Sequence, residues 1–176
     1  MLLRLVYVNF CLNVGVRGLS TFLPVDMAQH GSPVTTIGAL FTGMLALGAL
    51  ASVFVSTLSR RTGKRNLVLV SAAVGAPLAV AGCLLYPSPA AVALIVAAGT
   101  VLTFSNPLLI LMAQTHSGNS PAMASSLIMG LSWGLAGLVM VPLGTLGEIV
   151  GMPVMIVVAG GFPVLSVVAC LRIPRD

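Results

Sequence analysis

Six apolar stretches, each long enough to form a helix that crosses a lipid bilayer, follow one another through the 176 residues with only short polar connectors between them. A helix rises 1.5 Å per residue, so about 20 apolar residues cover a hydrocarbon core roughly 30 Å thick. Cutting at charges, prolines and polar clusters predicts spans over 2–24, 34–58, 67–86, 90–114, 122–146 and 152–171. Strands do not suit these runs, because lipid leaves an open sheet edge without hydrogen bonds. The expected fold is therefore an all-α integral membrane six-helix bundle occupying residues 1–176 as one unit. Composition agrees: 58% of the residues are hydrophobic and 6% charged, where a soluble domain carries about a quarter charged residues.

Eight Lys+Arg stand against three Asp+Glu, but the basic residues form no extended patch with interleaved aromatics, so no nucleic-acid partner is expected. They follow a topological pattern instead. Alternating the connectors between the two sides places Arg4, Arg60, Arg61, Lys64, Arg65, Arg172 and Arg175 together, with Asp26 and Glu148 opposite. The positive-inside rule then makes both termini cytoplasmic in an inner or plasma membrane. Asp26 and Glu148 fall in connectors and read as solvated acids. No Asp, Glu or His falls deep in a predicted span, so if the chain takes part in proton-coupled transport the proton carrier is expected on a missing half. Cys11, Cys83 and Cys170 lie apart in apolar runs and read as small buried hydrophobes, giving neither a disulfide nor a metal site.

Enzymatic activity is not expected. An intramembrane serine protease needs a G-x-S-G nucleophile site and a membrane histidine, and Gly18-Leu19-Ser20-Thr21 breaks the first. A cytochrome needs paired intramembrane histidines and an ATP-driven pump a P-loop, and the sequence has neither, so no cofactor is expected.

The content of the spans repeats. In the first, Asn9, Asn13, Arg17 and Ser20 fall within about an 80° arc at 100° per residue. The fourth carries Thr100, Thr103, Asn106 and Gln114, with Pro107 expected to bend it. The second has Gly38, Thr42, Ala46, Ala49, Ser52 and Ser56 along one face, and the fifth has Ser126, Gly130, Gly134, Gly137 and Gly144. Such small residues let helix backbones approach closely. The third and sixth are nearly pure hydrocarbon, with Ser71 and Ser166 among their few polar groups, and are expected to face lipid. Polar, small-faced, apolar, then the same again from the other side of the membrane, describes a 3+3 inverted repeat, a plan of secondary transporters.

Two segments resemble a known family. Leu58-Ser59-Arg60-Arg61-Thr62-Gly63-Lys64-Arg65 resembles the cytoplasmic loop motif of the major facilitator superfamily, roughly G-x-L-A-D-R-x-G-R-K. Leu58, Arg61, Gly63, Lys64 and Arg65 match it, while Ser56 stands at its glycine and Arg60 replaces its aspartate. A second segment starts at Gly118 and runs through Met123-Ala124-Ser125-Ser126-Leu127, Gly130 and Pro142-Leu143-Gly144 to Gly147-Glu148-Ile149-Val150-Gly151. It is similar to the eleventh helix of multidrug-efflux members, in particular fosmidomycin-resistance and sugar-efflux-like permeases. Arg17-Gly18-Leu19-Ser20-Thr21-Phe22-Leu23-Pro24 looks like the end of their seventh helix.

The likeness is to the C-terminal half of a twelve-helix transporter. It implies alternating-access transport, in the direction of efflux, of a small organic compound, with the polar first and fourth spans lining a central cavity. Substrate-binding candidates are then Asn9, Asn13, Arg17, Ser20, Thr103 and Asn106. Asn9, Asn13, Thr103 and Asn106 equally fit polar ties between helices. Arg17 either faces the cavity, attracting an anionic group of the substrate or a carboxylate on the other half, or snorkels to the interface. The loop residues Arg61, Gly63, Lys64 and Arg65 set topology and attract anionic lipid, and the resemblance adds a gating role. Gly38, Ala46, Ala49, Gly130, Gly134 and Gly137 form packing faces. The expected partners are the lipid bilayer, a substrate, and either a missing N-terminal six-helix half or a second copy. A fragment, a split-gene product and a dimeric half-transporter all fit, and so does a non-transporting scaffold or regulator that binds partner helices.

Overall fold

The computed structural model describes residues 1–86, 88–117 and 120–173, so the expectations at Gly118 and Arg175 lie outside the described residues. The helices are α1 Leu2–Gln29, α2 Val34–Thr62, α3 Lys64–Leu84, α4 Pro89–Thr103, α5 Ser105–His116, α6 Pro121–Ser126, α7 Ser132–Val150 and α8 Met152–Leu171. A π-helical turn over Leu127–Leu131 joins α6 to α7. Counting α4 with α5, and α6 through α7, as single spans, six helices are long and apolar enough to cross a membrane. This is the architecture of a multi-pass membrane protein.

The boundaries follow local chemistry. Pro24 does not end α1: a proline removes one N–H and its bond to the carbonyl four residues back, and the helix resumes for another turn to Gln29. In the fourth span the regular helix is interrupted at Phe104, between Thr103 and Ser105. Pro107 lacks the N–H that would bond the Thr103 carbonyl, which accounts for a break at this level. Ser88 caps α4 by accepting a hydrogen bond from the Ala91 amide at 3.3 Å. Single glycines join α2 to α3 and α7 to α8: Gly63 at φ 80° and ψ 139°, and Gly151 at φ 103° and ψ 144°. Both lie in the region that favours glycine, so each turn is made in one residue.

The first span packs chiefly on the sixth and the fourth chiefly on the third, while α3 and α8 also meet each other. The first span further contacts the fifth, as the second contacts the fourth. Glycines set the closest approaches. A Cβ at Gly15 would lie 2.6 Å from Pro163 Cγ, and one at Gly18 would collide with the Ala159 Cβ. On the other pair, a Cβ at Gly75 would lie 2.6 Å from Leu102 Cδ2 and one at Gly82 2.7 Å from Ile95 Cγ1. Leu5, Leu12, Leu19, Leu102, Leu109 and Ile156 are fully buried in one continuous apolar core.

The third and sixth spans do not simply face lipid. Val70, Val74, Val164 and Val168 are exposed on them, but Ser71 and Ser166 are fully buried, because each helix turns its other side into the bundle. Only 17% of the second apolar window and 22% of the fifth are buried, against 50% of the third and 39% of the sixth. The least enclosed spans are thus the small-faced ones.

Candidate functional site

The polar stripe of α1 divides along its length. Asn9 is 1% exposed and donates from Nδ2 to the Ile128 carbonyl oxygen at 3.0 Å, inside the π turn. Ser132, also fully buried, donates from Oγ back to the Val6 carbonyl at 3.0 Å. A π turn offsets the usual backbone ladder by one residue, and here two side-chain bonds tie the offset segment to α1. Asn9 therefore serves as a tie between helices. Asn13 is buried as well, with Nδ2 donating to the Asn9 carbonyl at 2.8 Å, to Asn9 Oδ1 at 3.1 Å and to Asn106 Oδ1 at 3.3 Å. The structure so connects three of the candidates, Asn9, Asn13 and Asn106, across the first and fourth spans. Asn106 is half-buried beside the break in the fourth span.

Arg17 and Ser20 lie beyond this network. Arg17 is half-buried, with its guanidinium carbon 5.8 Å from the centroid of the Trp133 ring on α7. A cation over an aromatic face is stabilised by the ring's quadrupole, and this contact orients the side chain across the fifth span. Ser20 is exposed and its hydroxyl donates to the Val16 and Arg17 carbonyls at 3.0 and 3.2 Å. Thr103 is apart from the asparagines: its hydroxyl donates to the Gly99 carbonyl at 2.7 Å, and its methyl lies 3.5 Å from where a Gly48 Cβ would be.

In the basic connector, Arg65 donates from Nε to the Cys170 carbonyl at 3.0 Å and from Nη2 to the Leu171 carbonyl at 2.9 Å, satisfying the last carbonyls of α8. Arg4 donates to the Arg172 carbonyl at 2.8 Å, so the start of α1, the basic connector and the end of α8 gather at one end of the bundle. Arg61 is exposed, Lys64 half-buried, and Gly63 is the one-residue turn.

Among the described residues the small faces are largely open, although a Cβ at Gly144 would lie 3.9 Å from Phe22 Cε1. Gly38, Ala46, Ala49, Gly130 and Gly134 are exposed and Gly137 is half-buried. A Cβ added at Gly38, Gly130, Gly134 or Gly137 would meet nothing within 4 Å.

Three features went unread in the sequence: the π turn, the Trp133 partner of Arg17, and the burial of Asp26. The expectation of a solvated Asp26 is corrected, since α1 continues past Pro24 and carries the residue inside, at 4% exposure. Glu148 is exposed, as a connector acid would be. Among the described residues no group of His, Cys, Asp and Glu could hold a metal ion. Comparison with protein-family models, with curated proteins and with solved structures gave no match.

Replacing Asn9 by Leu removes the tie to Ile128 and is expected to lower stability by about 0.6 kcal/mol, the average for such bonds between membrane helices. Unfolding by denaturing detergent measures this. In the companion variant, Asn9→Cys, the thiol is expected to resist a membrane-impermeant reagent. Rapid labelling would instead mean that position 9 opens to a water-filled cavity.

Proposed function

We propose that this chain is the C-terminal six-helix half of a major facilitator type transporter, exporting a small organic compound by alternating access. The observation that carries the reading is the packing of the spans. Exchanging the first three for the last three turns the first-on-sixth contact into the fourth-on-third contact, and the first-on-fifth contact into the fourth-on-second contact. Glycines make the close approach in both pairs, though not on exchanged members: Gly15 and Gly18 stand on the first span, Gly75 and Gly82 on the third. Gly63 and Gly151 occupy matching junctions with nearly the same ψ. This correspondence supports a 3+3 inverted repeat, in which substrate sites lie near the midplane between repeated units.

In this reading the open faces of the second and fifth spans receive a second six-helix bundle, either an N-terminal half or another copy. Arg17, Ser20 and Asn106 then lie nearest the cavity, with Arg17 holding an anionic group of the substrate. Asn9 and Asn13 shape the wall from behind. The basic connector and both termini face the cytoplasm of an inner or plasma membrane. The open faces also suit a non-transporting scaffold that binds partner helices, and transport separates the two readings.

The test is substrate-dependent transport by the chain reconstituted with whichever six-helix bundle copurifies with it. Arg17→Ala is expected to reduce transport about tenfold or more at unchanged protein level, the value of one charge-assisted hydrogen bond. Arg17→Lys should recover part of it, because it keeps the charge and loses the bidentate geometry. Full transport by Arg17→Ala would remove Arg17 from the site, and a bundle that transports nothing would favour the scaffold.

A further inference from the structure

At the end of the bundle opposite the basic connector, the turn that follows α1 is latched to the turn that follows α3. The Ser32 hydroxyl and the Tyr86 hydroxyl share a hydrogen bond of 2.9 Å, and the His30 ring meets the Tyr86 ring edge-on with centroids 5.6 Å apart. Asp26 lies beneath this latch, buried, and its Oδ1 has no hydrogen-bond partner among the described residues. His30 Nδ1 is 3.7 Å from Oδ1, too far for a hydrogen bond. That nitrogen is already engaged, 2.9 Å from the Asp26 main-chain oxygen. A carbonyl oxygen only accepts, so Nδ1 carries the hydrogen and spends it there.

We propose that Asp26 is a proton-binding site, its carboxyl holding a proton on Oδ1 while α1 is docked on α3 and releasing it to water when this end opens. A buried ionised carboxylate is tolerated when cations or donors surround it. The titratable groups facing Asp26 are His30 from its own helix end and Cys83 from α3, with Tyr86 reached through the His30 ring. Among the described residues no Lys or Arg comes within ion-pair distance. The proton comes from the aqueous phase, adding an O–H bond to Oδ1 with no other bond made or lost. The His30 side chain, 51% accessible, is the solvent-exposed group nearest that oxygen in the pair, 3.7 Å from it. This inference rests on the α1–α3 contact alone and holds whether or not the chain transports.

The sequence has two aspartates, Asp26 and Asp176, so the full chain with carboxyl-labelled aspartate in lipid nanodiscs resolves the site by carbon NMR. At neutral pH one carboxyl is expected in the protonated position and the other ionised, with Asp26→Asn deleting the first alone. Two ionised carboxyls at neutral pH would overturn the proposal. The amide mimics a protonated carboxyl, so Asp26→Asn should keep its helix content and thermal midpoint. A large loss of stability would mean that Asp26 acts as the charged partner of His30, which also overturns it.

Discussion

Gly18→Leu is expected to destabilise the folded bundle strongly. The position faces Ala159 so closely that even one added carbon collides with its Cβ, and among the described residues the first and sixth spans make the most extensive contact. Overpacking a core costs typically about 1–3 kcal/mol where side chains can give way. Here the obstacle is the stub of Ala159, fixed to its own helix, so separation of α1 from α8 is the only relief and the loss should reach the top of that range. Thermal unfolding followed by circular dichroism, with chromatography in mild detergent, measures it. Gly38→Leu is the control, since nothing stands within 4 Å of it. Equal midpoints for the two variants would refute the close packing of α1 on α8.

Gly134→Leu should behave in the opposite way. The side chain enters open space, so the isolated chain is expected to keep its helix content and midpoint. Association with a second bundle should weaken by about a hundredfold, or about 2.8 kcal/mol, because a branched side chain on a small-residue face keeps helix backbones apart. Energy transfer between labelled chains in nanodiscs, or crosslinking against the copurifying bundle, reads the change. Unchanged association would free the fifth span's face from the interface and leave its glycines facing lipid.

These two glycines also show what a sequence like this discloses. Apolar run length located six helices, and Gly151 and Arg172 bracketed the last one closely, because a glycine turn and a charge are local signals. Rotation of a helix about its axis is not local. Gly18 and Gly134 are the same residue in similar apolar surroundings, and only the neighbouring helix makes one a contact and the other a vacancy. Proline removes a backbone donor and so predicts an end to the helix at Pro24, yet one lost bond does not outweigh the bonds of the turn beyond it, and Asp26 lies in the interior. The π turn left no periodic trace, since one additional residue in a glycine-rich span hardly alters an already weak pattern. The polar arc of α1 was legible as an arc. Its division into a tied part at Asn9 and Asn13 and an open part at Arg17 and Ser20 depends on where the fifth span crosses it.

Gly63 and Gly151 have a mechanical meaning. A junction of one residue stores no spare length, so α2 cannot slide along α3, nor α7 along α8. What remains free is the angle at the elbow, set by two backbone torsions. Because the elbows sit at opposite ends of the bundle, one pair of helices spreads like shears toward one side and the other pair toward the reverse. Any change of angle within either pair at its junction would turn on the backbone torsions of one glycine, which no side chain encumbers.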